Sequence, residues 1–139
     1  MKVLYKRFRK SEQGFTLIEL LAVIAILGLL AVLVVPRVQA SIEEARLKAA
    51  LSSAASLQLA MERYSIDNGN DGYPATESIT GYSTLREVLK DYTRLPANEN
   101  GANFTFSSYT STGDTYELII TAKDQDSTMI TITQDGITY

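Results

Sequence analysis

The chain of 139 residues contains no cysteine and no histidine. Without cysteine no disulfide can staple the fold, so an exported body must be held by its core or by its neighbours in an assembly. Without histidine the commonest general base and metal ligand is missing, and Ser-His and Cys-His nucleophile pairs are excluded. Positive charge is scarce beyond the N-terminus. Lys2, Lys6, Arg7, Arg9 and Lys10 are five of the thirteen bases, and they share the first fourteen residues with one acid, Glu12. The remainder carries eight bases against fifteen acids, a formal charge of −7. An acidic body has no general grip on nucleic-acid phosphates, which needs clustered Lys and Arg, so direct nucleic-acid binding is not expected. The carboxylates left for catalysis are scattered on turns, and no catalytic residue is assigned.

What is present is sharply divided along the chain. A basic stretch ends at Gly14, Phe15-Thr16-Leu17-Ile18-Glu19 follows, and an uncharged apolar run extends from Leu20 to Val35. Phe15 to Val35 is 21 residues, about enough to span the ~30 Å hydrocarbon core as a helix. The flanking bases keep the N-terminal end cytoplasmic and send the body outward. A secretory signal cleaved near Val38-Gln39-Ala40 and a plain membrane anchor both account for this run, and both leave Glu19 unexplained. A carboxylate inside an apolar span costs roughly 2.5–3.5 kcal/mol and marks a functional position by default. No basic residue lies between Phe15 and Pro36. Cutting between Gly14 and Phe15 would create the missing cation, the α-amine of Phe15.

Gly14-Phe15-Thr16-Leu17-Ile18-Glu19, after a short basic leader and before an apolar helix, resembles the class III signal of type IV prepilins and pseudopilins. The resemblance implies an α+β, pilin-like ladle: a long N-terminal helix on a small antiparallel sheet of three to four strands. It implies a leader over residues 1–14, a transmembrane or filament-core half-helix over 15–40 and a globular head over 41–139. It further implies that a prepilin peptidase cuts after Gly14 and N-methylates Phe15, and that Glu19 pairs with the Phe15 amine of a neighbouring copy. The subunit would wait in the cytoplasmic membrane and then enter an extracellular or periplasmic homopolymer. An assembly platform membrane protein and a cytoplasmic ATPase would drive that step. The stretch between Gly28 and Pro36 would be able to melt within the filament.

One helix is expected from Phe15 to Ile66, with a bend near Val32–Pro36, because proline removes a hydrogen bond and crowds the preceding turn. Leu47, Ala50, Leu51, Ala54, Leu57, Met61 and Tyr64 form its core stripe, and Ala45, Ala49, Ser52, Ser56 and Ala60 a small-residue side. Residues 67–74 read as a turn; the third and twelfth positions of an EF-hand pattern there are Gly69 and Ser78, against calcium. Ser83 is expected to cap a helix from Thr84 to Asp91. Strand patterns follow at Phe104, Phe106 and Tyr109, over Tyr116–Thr121, Met129–Thr133 and Ile137–Tyr139. Asp124, Asp126 and Asp135 are candidate calcium ligands, although two acids in a turn are also satisfied by solvent. The Tyr64 to Pro96 pattern resembles pilins and the major pseudopilin of type II secretion, with Asn70-Asp71 inserted and Ala97-Asn98 where Asp-Pro often stands. The functional expectation is a structural subunit of a type IV pilus; alternatives are the major pseudopilin of type II secretion and a competence pilin for DNA uptake.

Overall fold

The computed structural model describes residues 14–69 and 72–139. The expected leader thus lies outside the described residues except for Gly14, as do Asn70 and Asp71 of the expected turn. The chain separates into two units, Met1–Val38 and Gln39–Tyr139.

In the first unit the one described element is the start of helix α1 (Leu17–Asp67). Its large apolar residues are all exposed, Leu17 at 79% and Val32 at 71% among them. The segment reaches a mean hydropathy of 3.0 over eighteen residues. A helix that is apolar on every side belongs in lipid or inside an assembly. Helical conformation continues through Gly28 and Pro36. Pro36 has no N–H for the Val32 carbonyl, so the expected weak point is a missing rung within one helix rather than a helix end.

In the second unit, α1 lies against an antiparallel sheet of order β1-β2-β3-β4. The strands are β1 (Phe104–Ser111), β2 (Tyr116–Ala122), β3 (Met129–Thr133) and β4 (Gly136–Thr138). Consecutive antiparallel pairing needs only short turns. Along β2, Tyr116, Leu118, Ile120 and Ala122 are buried while Glu117 faces out, the alternation of a sheet with one covered face. Ile130 and Ile132 of β3 join them, and Ala50, Ala54, Leu57 and Met61 of α1 close the core.

The helix stripe is wider than expected. Ala60, placed by the sequence on the small-residue side, is only 1% exposed, because a core-facing stripe spans 100° or more and takes in its neighbour Met61's flank. The second helix also differs. α2 is Tyr82–Val88 with Gly81 as its N-cap, so Ser83 lies inside it. Thr84 sets this start: its Oγ1 accepts from the amides of Thr80 at 2.9 Å and Gly81 at 3.0 Å. Leu85 of α2 and Leu89 just after it are fully buried. In β1 a bulge between Phe106 and Ser108 inserts one residue and resets the alternation. Phe104 and Tyr109, of opposite parity, therefore both reach the core.

Candidate functional site: the start of the long helix

Helix α1 begins with a reciprocal cap. Thr16 is the residue before Leu17, and its amide and its hydroxyl each donate to Glu19 Oε2 at 2.8 Å. In return the Glu19 amide donates to Thr16 Oγ1 at 3.3 Å. Ser/Thr with Glu three residues on satisfies amides that a helix start otherwise leaves open. In hydrocarbon, where water cannot replace a lost partner, this matters more than on a soluble helix. Sequence reasoning passed over Thr16, although Thr-x-x-Glu before an apolar run was a readable signal.

The cap uses one carboxylate oxygen. Among the described residues Glu19 Oε1 accepts no hydrogen bond, so the charged end keeps acceptor capacity beside the exposed Phe15. Gly14 and Gly28 have open space where a Cβ would project. The fold of the chain itself therefore does not demand glycine at either position, and any demand must come from outside the subunit. Phe15 and Glu19 sit together at the helix start, while Gly28 and Pro36 lie further along it.

The candidate calcium ligands are not brought together. Asp124 and Asp126 lie in the β2–β3 turn and Asp135 in the β3–β4 turn, separated by a five-residue strand of about 16 Å. The Asp124 carboxylate is occupied: it accepts from the Thr128 amide at 2.9 Å and hydroxyl at 2.6 Å. The Thr128 hydroxyl chiefly holds its pKa below the ordinary carboxylate value. Among the described residues no group of three or more acidic side chains is placed to hold a metal ion. The same turn is tied to α1, where Glu43 accepts from the Gln125 amide at 2.8 Å and from Arg46 at 3.2 Å.

Residues 9–35 match the prokaryotic N-terminal methylation motif. The chain is 33% identical over 108 residues to the type II secretion system core protein G of Escherichia coli K12, covering 70% of this chain and 73% of that protein. It is 46% identical over 103 residues to the core protein G of Pectobacterium carotovorum, covering 67% of this chain and 65% of that one. It is 39% identical over 92 residues to the core protein G of Pseudomonas aeruginosa, covering 66% and 60%. No solved structure matches the chain.

Proposed function

Because this chain belongs to the family of type II secretion system core protein G, within the pilins and pseudopilins, we propose that it is the repeating subunit of a secretion pseudopilus. Its apolar helix start anchors the chain in the membrane. Prepilin peptidase cleavage after Gly14 and N-methylation of Phe15 release a mature subunit, which polymerises through α1. The platform protein and cytoplasmic ATPase extract it from lipid, and burial of the Phe15–Val35 surface against neighbouring helices drives the step.

The observation that carries this reading is Glu19: a carboxylate at the exposed apolar start of α1, with one oxygen closing the cap and the other accepting no hydrogen bond among the described residues. The α-amine of Phe15 from the next subunit supplies the cation. Such a pair selects register more than it adds stability, since both charges give up water to form it. The missing rung at Pro36, with Gly28 about two turns earlier, lets the intervening helix yield in the polymer without breaking the pair.

Mass spectrometry of the mature N-terminus tests the processing. A methylated peptide starting at Phe15 is expected; one starting at Ser41 overturns it in favour of an ordinary signal sequence. The pilus reading rests on the same helix start, and it differs in outcome: long surface fibres containing this subunit, rather than secretion that stops when the gene is deleted. Loss of transformation with fibres retained is the outcome for a competence pilin. The similarity to core protein G along the head favours secretion.

A further inference from the structure

Lys123, at the end of β2, is held by backbone alone. Its Nζ donates to the carbonyl oxygens of Glu99 at 2.6 Å, Asn100 at 3.3 Å and Ala102 at 2.8 Å. An ammonium has three donors and no acceptor, so three carbonyls saturate it. Those carbonyls belong to the 3₁₀ turn Glu99–Gly101 and the residue after it; the Glu99 oxygen also accepts from the Ala102 amide at 3.1 Å, and its second lone pair takes the ammonium. The ion pairs among the described residues involve other lysines and arginines.

We propose that the 99–102 carbonyls constitute a binding site for a small monovalent cation, and that the Lys123 ammonium is its resident, tethered occupant. Neutral carbonyls at these distances replace the hydration shell of an ion the size of ammonium or potassium. Calcium and magnesium sites instead recruit carboxylates, and the one carboxylate in the turn is turned elsewhere. Glu99 Oε1 accepts from the Phe106 amide, on the edge strand β1 next to its bulge. The tethered cation therefore does two things. It gathers the carbonyls of the turn, and by fixing Glu99 it keeps a strand-edge N–H occupied that would otherwise invite pairing with another chain.

The absence of cysteine from the chain makes a clean test available in the mature full-length protein in detergent. In Lys123→Cys the thiolate displaces bromide from 2-bromoethylamine, giving a thioether that ends in an ammonium, lysine with sulfur for one methylene. Alkylation with 1-bromopropane gives the neutral counterpart of similar bulk. Amide hydrogen exchange over residues 99–106 is expected to quicken roughly tenfold or more in the cysteine variant, the scale of a lost charge-assisted hydrogen bond. Ile130 and Ile132 should keep their rates, aminoethylation should restore the turn, and propylation should not. In Lys123→Ala, ammonium or potassium chloride should slow the same amides where tetramethylammonium chloride at equal ionic strength does not. Should the cysteine variant fail to fold, recovery of its circular dichroism by aminoethylation but not propylation supports the same conclusion. Equal restoration by the neutral group, unchanged exchange in the cysteine variant, or indifference of Lys123→Ala to every cation overturns the proposal.

Discussion

Replacing Glu19 by glutamine separates the two tasks assigned to that side chain. Glutamine serves at the third helical position of a capping box as glutamate does, so its amide oxygen can still accept from Thr16, whose two donors now lie 2.8 Å from Oε2. What disappears is the charge. Removing one partner from a buried ion pair costs about 3–5 kcal/mol, which raises the subunit level needed for polymer roughly a hundredfold to several thousandfold. Thr16→Ala does the converse, keeping the charge and losing the cap at about 0.5–2 kcal/mol, roughly a two- to thirtyfold effect. The assay is the filament yield of cells expressing each variant at titrated levels, with processed subunit in the membrane measured in parallel. Glu19→Gln should be processed and inserted yet nearly filament-free, with Thr16→Ala between it and the natural chain. Glu19→Leu should insert normally, relieved of a charge in lipid, and assemble poorly or out of register. Wild-type filament yield from Glu19→Gln, or a Thr16→Ala defect as deep as that of Glu19→Gln, would refute the division of labour.

Gly72 has φ of 97°, and an added Cβ would meet the Gly113 carbonyl carbon at 2.8 Å and Cα at 3.2 Å. Gly72→Ala should cost about 2–3 kcal/mol, from the left-handed backbone and from displacing the Tyr73 amide bond to Gly113 O, 2.8 Å long; an unchanged urea midpoint would contradict this. Burial, followed by the Glu62 carboxylate that accepts its hydroxyl, pushes Tyr73 up to about 12, and burial does the same to Tyr109, to about 12. Their neutral forms are favoured in the fold, so this contribution is complete below the unfolded value near 10 and is lost as pH rises through about 12. Phenolate absorbance should rise together with loss of tertiary structure; titration of Tyr73 and Tyr109 near pH 10 in a still-folded protein would disprove the shifts. With Asp124 engaged by Thr128, chelation of calcium should leave the melting temperature unchanged, and a fall on adding EDTA restored by calcium would revive Asp124, Asp126 and Asp135 as ligands.

The second half of the long helix and the strands were legible because each is a periodic pattern burying one face, the first half because it is an unbroken apolar run, and the turns carry Gly, Asn, Asp and Ser. The misjudged boundaries have local causes that a period cannot report. Ser83 and Thr84 are adjacent potential caps, and which one acts depends on whether Thr84 Oγ1 can reach back to the Gly81 amide, as it does at 3.0 Å. Phe106 and Tyr109 cannot share a face of a regular strand, and only the bulge at Ser107 makes both inward-capable. Ala60 was misplaced because alanine fits either a core or a close-packing side, and nothing in its composition decides. The site divides the same way. Gly14, Phe15 and Glu19 stand out as a motif, whereas Lys123 looks like any solvated lysine until the turn 24 residues earlier in sequence folds beneath it.

The cap and the proposed pair are compatible because a carboxylate has two oxygens and about four acceptor directions. Both donations from Thr16 go to Oε2; a carboxamide in the same place could repeat them, but its other end would present N–H donors to an incoming ammonium. A carboxylate is thus the side chain that can both terminate the helix in lipid and attract an amine with the remaining oxygen. Aspartate is one methylene too short to reach back to Thr16 from the third helical position while leaving an oxygen outward. Glu19→Asp should therefore retain the charge yet lose the cap. Its filament yield should fall nearer to that of Thr16→Ala than to that of Glu19→Gln; an aspartate variant as inert as the glutamine one would mean that charge alone, without the geometry of the cap, does not explain assembly.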